Sequence, residues 1–84
     1  MLAVEFSSQA KKFLKKSDKE LAGRIIKKIE NLASDPFPSD VKRVVNRQEK
    51  IFRVRVGDYR IQYCVIYEKN LIFVTEIEKR PKAY

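Results

Sequence analysis

Three arginines stand at a spacing that suits phosphate chemistry. They are Arg53, Arg55 and Arg60, in the stretch Phe52-Arg53-Val54-Arg55-Val56-Gly57-Asp58-Tyr59-Arg60-Ile61-Gln62-Tyr63. Read with period two, Phe52, Val54 and Val56 fall on one face of a strand and Arg53 and Arg55 on the other. Gly57-Asp58 forms a two-residue hairpin turn, glycine supplying a positive φ at its first position. The turn sets the register: Val56 opposite Tyr59, Arg55 opposite Arg60, Val54 opposite Ile61, Arg53 opposite Gln62, Phe52 opposite Tyr63. One face becomes apolar and aromatic. The other gathers three guanidinium groups, two of them directly opposite, where like charges repel. Each guanidinium offers five donors in a planar fork that matches phosphate oxygens. The pattern points to a polyanion as ligand. For any single arginine, a solvated face with ion pairs to Glu76 and Glu78 is the plainer reading. For the group it is weaker, because two carboxylates cannot neutralise it. Arg80, with Lys79 and Lys82, extends the patch if the tail folds over the open face. Tyr84 is either a frayed end or an aromatic that stacks on a base, an interaction worth about 1–3 kcal/mol.

The elements that position these residues read as α+β. Leu2–Phe6 alternates as a short strand. Ser7 or Ser8 caps a first helix with Ala10, Phe13 and Leu14 as its apolar stripe. Ser17-Asp18-Lys19-Glu20 reads as a capping box with Ser17 as the cap. The second helix carries Leu21, Ala22, Ile25, Ile26, Ile29, Leu32 and Ala33 at helical period and ends at Asp35-Pro36-Phe37-Pro38. The tight junction makes the two an antiparallel helical hairpin. Residues 35–50 form a connector in which Val41, Val44 and Val45 make a short extended or helical piece, and Lys42, Arg43, Arg47 and Lys50 make it basic. Three strands finish the chain as an antiparallel meander: Ile51–Val56, Tyr59–Tyr67 and Leu71–Glu78. A three-residue loop with Asn70 left-handed places Leu71, Phe73, Thr75 and Ile77 on the apolar face, Glu78 opposite Arg60 and Glu76 opposite Gln62. The helices must bury their stripe on one face of the sheet, which leaves the arginine face open.

Composition bounds the partners. The chain has 84 residues, so one domain spanning 1–84 is expected, with modest stability of its own. Nineteen Lys and Arg against eleven Asp and Glu give a formal charge of +8, which favours a nucleic acid, an acidic protein or an anionic surface. There is no histidine and one cysteine, Cys64, so no cofactor or metal is expected. Cys64 and the tyrosines Tyr59, Tyr63 and Tyr67 read as packing residues. No apolar run reaches the ~20 residues of a membrane span, and the start is unlike a signal peptide; the expected location is cytoplasmic. The helix residues Lys11, Lys12, Lys15, Lys16, Lys27 and Lys28 read as a solvated face that secondarily grips RNA or DNA phosphates.

The hairpin stretch Phe52–Tyr63 resembles the RelE-type toxins of the RelE/ParE superfamily, the toxin halves of prokaryotic toxin–antitoxin pairs. It is close to that family's (Y/F)-(K/R)-(I/V)-(K/R)-x-G-x-Y-R-(I/L)-x-Y stretch, and Glu78-Lys79-Arg80 followed by Tyr84 resembles its closing element. The resemblance implies an mRNA interferase: a metal-independent endoribonuclease that enters the ribosomal A site, where the ribose 2′-hydroxyl attacks the adjacent phosphate. It implies phosphate contact by Arg53 and Arg55, transition-state stabilisation by Arg60 and Arg80, and nucleotide orientation by Tyr84. Some members carry lysine where Arg53 and Arg55 stand, and an arginine cannot give up its proton. Glu78, Lys79 and Tyr84 are therefore the candidates for proton transfer. RNA-backbone contacts fall to Lys42, Arg43, Arg47, Lys50 and Lys82. Implied partners are the ribosome, mRNA and a cognate RelB-like antitoxin, the last in a toxin–antitoxin heterotetramer.

Two other readings stand beside this one. A ParE-like protein would poison gyrase by binding alone. A non-toxic nucleic-acid-binding module would show salt-dependent binding without cleavage.

Overall fold

The computed structural model describes residues 1–44 and 50–79. In chain order these form β1 (Ala3–Phe6), α1 (Ser8–Lys16), α2 (Lys19–Ser34), β2 (Lys42–Arg43), β3 (Phe52–Val56), β4 (Tyr59–Ile66), a 3-10 turn (Tyr67–Lys69) and β5 (Leu71–Lys79). The strands make one sheet in the order β1-β5-β4-β3-β2. β1 runs parallel to β5, and every other pairing is antiparallel. The α+β expectation holds, with β1 and β2 added to the edges of the meander.

α1 begins where Ser7 accepts from the Ala10 N–H at 3.1 Å. Its end differs from the expected capping box. Ser17 closes α1, its hydroxyl donating to the Phe13 carbonyl at 2.7 Å and its N–H reaching Leu14 O. Asp18 then caps α2, Oδ1 accepting from the Leu21 N–H at 2.8 Å. With Ser17 consumed by the first helix, the next residue starts the second, and its carboxylate suits the positive helix end.

One face of each helix lies against the sheet. Ile25, Ile29 and Leu32 of α2 and Ala10 of α1 meet Val54, Ile61, Tyr63, Ile72, Val74 and Ile77, all at most 2% exposed. Each fully buried Ile or Leu here contributes roughly 1.5–3 kcal/mol. The α2 stripe is narrower than its periodicity suggests, since Ile26 stays 36% exposed. Phe13 packs edge-on against Tyr59, and Phe52 sits between Phe37 and Tyr63. Tyr67 lies at the turn and is exposed, outside the core expected for it.

β5 corrects the expected face. The loop before it has four residues, Tyr67–Asn70, because Ile66 pairs with Leu71. Asn70 is left-handed as expected (φ 51). A bulge follows: Gln62 pairs with Glu76 but Tyr63 with Val74, so Thr75 is the extra residue. The long loop and the bulge cancel beyond Thr75, which is why Arg60–Glu78 and Gln62–Glu76 pair as expected. Before the bulge the alternation inverts. Ile72 and Val74 enter the core with Ile77, while Phe73 and Thr75 are half-buried and Leu71 is buried outside the main cluster.

β1 is shorter than β5, and side chains finish the edge it leaves. The Ser7 hydroxyl donates to Thr75 O at 2.7 Å. Gln9 donates to Ile77 O at 2.7 Å and accepts from its N–H at 2.9 Å, as a neighbouring strand would.

Candidate nucleic-acid interface

All five expected pairs of the β3–β4 hairpin are present, from Val56–Tyr59 to Phe52–Tyr63. Gly57 supplies the turn with φ +57. Residues paired directly across strands share a face, so two polar rows run across the side away from the helices. One is Lys42, Arg53, Gln62 and Glu76. The other is Arg55, Arg60 and Glu78. Lys42, which pattern alone left in an undefined connector, joins the first row because the connector is extended there.

Arg60 is the best-held cation of the face. Its Nη2 donates to Glu78 Oε1 at 2.8 Å, with the two side chains 19% and 30% exposed. Gln62 Nε2 reaches the same oxygen at 3.4 Å. Arg60 Nε is buried with no hydrogen-bond partner among the described residues. Glu78 therefore relieves the repulsion between Arg60 and Arg55 and fixes the guanidinium from the far side. Arg55 is exposed and Arg53 half-buried. A shallow groove of about 250 Å³ runs along them, lined by Asp40, Lys42, Arg53, Val54 and Arg55. The Asp40 carboxylate is engaged elsewhere: Lys28 Nζ lies 2.9 Å from its Oδ2 and holds its pKa below the ordinary 3.8.

Not every expected residue reaches this face. Lys79 pairs with Tyr59, and Arg43 with Phe52, so both belong to the helix side. Lys79 is thereby separated from the Arg60–Glu78 pair beside it in sequence. Lys50 is exposed at the entry to β3. Arg47, Arg80, Lys82 and Tyr84 lie outside the described residues. Gln62 is the residue that the sequence reading missed; its place opposite Arg53 was the signal that it shares that row.

The arrangement presents four cations (Lys42, Arg53, Arg55 and Arg60) beside two carboxylates. It can bind a chain of phosphates, and it holds a carboxylate within proton-transfer reach of whatever Arg60 binds.

Known proteins place the chain in a family. A family model described as "ParE toxin of type II toxin-antitoxin system, parDE" matches residues 4–84. The chain is 33% identical to a Methanocaldococcus jannaschii protein named "Putative toxin RelE1", covering 96% of this chain and 97% of that one. Among solved structures, the Pyrococcus horikoshii RelE–RelB complex matches with TM-score 0.82 and 26% identity over 98% of both chains. The isolated Escherichia coli RelE toxin shares the fold, with TM-score 0.84 at 20% identity over 99% of this chain and 88% of that one. The chain belongs to the RelE/ParE superfamily of type II toxin–antitoxin systems, as a RelE-type toxin.

Proposed function

We propose that the protein is a ribosome-dependent endoribonuclease that acts in the cytoplasm and cuts mRNA in the A site. The observation that carries the reading is the row Arg55–Arg60–Glu78: two guanidinium groups facing each other, one held at 2.8 Å by a carboxylate. In the reaction a ribose 2′-oxygen attacks the adjacent phosphorus and the 5′-oxygen leaves, giving a cyclic phosphate and a free 5′-hydroxyl. The 2′-hydroxyl proton must be taken up, the dianionic phosphorane stabilised, and a proton given to the leaving oxygen. Arg53 and Arg55 bind the scissile phosphate and its neighbour. Arg60, with Arg80 from the tail, stabilises the phosphorane. Glu78 is the group that takes the 2′-proton once phosphate has replaced it on Arg60. Tyr84 orients the nucleotide, and Lys42 extends the backbone contacts.

The test is primer extension on mRNA in translating ribosomes with the purified protein. Cuts at A-site codons are expected; their absence overturns the reading.

The P. horikoshii RelE was solved with RelB, and a RelB-like antitoxin is the partner we propose here. Co-expression with the neighbouring small gene product should restore growth.

The match to the ParE toxin model favours one second reading, inhibition of gyrase by binding alone. Accumulation of cleaved DNA in a supercoiling assay, with intact mRNA, would select it.

A further inference from the structure

We propose a second phosphate seat outside the arginine face, at the hairpin turn, built by Arg24 and Lys27 of α2 with Arg55 of β3, and taking the backbone of an RNA strand that continues around the sheet edge. A groove of about 320 Å³ separates α2 from the end of β3, lined by Arg24, Lys27, Lys28, Asn31, Arg55, Val56 and Gly57. No carboxylate among the described residues lines it. Lys28 is already paired with Asp40, so the cations of the groove with no ion pair among the described residues are Arg24, Lys27 and Arg55.

Arg24 is seated by the turn itself. A Cβ placed on Gly57 would lie 2.8 Å from Arg24 Nη2 and 3.7 Å from its Cζ. The guanidinium therefore packs against the bare backbone of Gly57, whose positive φ the turn itself requires. Asp18 and Glu20 line a separate pocket together with Arg24. Neither forms an ion pair with it; the ion pairs among the described residues are Lys28–Asp40 and Arg60–Glu78. Arg24 is thus a fork donor with no ion pair among the described residues, a group that suits a phosphate.

Arg55 links the two regions. It lines the groove on the open face with Arg53 and also the groove under α2. One polyanion lying on Arg53 and Arg55 therefore meets Arg24 and Lys27 if it continues past the turn. Backbone phosphates at regular spacing suit that path better than an acidic protein segment, whose carboxylates alternate faces in an extended strand.

The test is binding of a labelled single-stranded RNA of about twelve nucleotides, near the length that single-stranded RNA grooves span, without ribosomes, as a function of salt. Arg24→Gln with Lys27→Gln should weaken binding at least about tenfold at low salt and reduce the salt slope by roughly one to two. The control Lys19→Gln with Lys69→Gln, both exposed and outside the groove, removes the same charge and should change affinity less than about twofold. A dinucleotide, too short to leave the arginine face, should bind both double variants equally. Equal weakening of the long RNA by the two double variants would mean a diffuse charge effect and overturn the seat. So would unchanged RNA binding with weakened binding of a polyglutamate probe, which would assign the groove to an acidic protein. Because no cleavage is read, these outcomes are independent of the nuclease reading.

Discussion

Glu78 lies directly across the sheet from Arg60 and accepts from its Nη2 at 2.8 Å, with Gln62 as second donor to the same oxygen. The face that gathers arginines thus carries its own counter-ion. An incoming phosphate must compete with Glu78 for Arg60 Nη2. Glu76 stands on the same face opposite Gln62 but forms no ion pair with the described residues. The two glutamates therefore separate specific pairing from general charge.

Glu78→Gln should tighten RNA binding several-fold more than Glu76→Gln, although both remove one negative charge. Titration of a labelled oligonucleotide at low salt measures the difference. Equal tightening would show that the ion pair does not restrain Arg60. In the ribosome assay, Glu78→Gln should bind more tightly yet cut more slowly if its carboxylate takes the 2′-proton; faster cutting would leave Glu78 as counter-ion alone.

Arg60→Ala should lower cleavage in translating ribosomes at least about tenfold, or ~1.4 kcal/mol of barrier. The loss should fall on the cleavage step measured with saturating ribosomes. A wild-type rate in that measurement would remove Arg60 from the transition state.

Tyr63 gives the fold a pH limit. It is fully buried, and its hydroxyl donates to the Pro36 carbonyl, tying β4 to the connector. Burial, and then the negative charges of Asp40 and Asp35, push the phenol above its ordinary 10.0. A group whose folded pKa is raised contributes stability that is complete below its unfolded value and is lost as pH rises beyond it. Wild-type protein should therefore lose stability above pH about 10. Tyr63→Phe should cost about 1 kcal/mol at pH 7 through the lost hydrogen bond and show a shallower alkaline decline. Urea unfolding of both proteins at pH 7, 10 and 11 reads the difference; parallel declines would count against it.

The hairpin was legible because two strong local signals agree: Gly57-Asp58 sets the turn, and strict alternation from Phe52 to Tyr63 sets the faces. The β5 register was half legible. Avoiding a buried glutamate placed Glu76 and Glu78 correctly, but a loop one residue longer and a bulge at Thr75 cancel in that half, so only the early alternation of Leu71 and Phe73 betrays them. Ser17 was misassigned because one serine between two helices can serve either end, and its neighbour Asp18 could cap instead. β2, two residues long, has no period to read, which hid the alignment of Lys42 with Arg53. The seat of Arg24 against Gly57 depends on how α2 crosses the hairpin, a tertiary fact with no local signature.

Gln9 replaces a missing strand, and that predicts its cost. Its amide completes both backbone groups of Ile77, a residue with no exposed surface, at a point beyond the end of β1. Gln9→Met keeps the side-chain length but leaves a buried N–H and a buried carbonyl unsatisfied. The expected destabilisation is about 1–3 kcal/mol. General loss of stability would raise amide exchange across the sheet together. The specific loss should raise exchange at Ile77 well beyond that at Ile61, which sits opposite in β4 and keeps its strand partners. Because Ile77 precedes Glu78, the same variant should also loosen the Arg60 pairing, so tighter RNA binding is expected, as in Glu78→Gln. Unchanged protection at Ile77 would show that another group closes the edge.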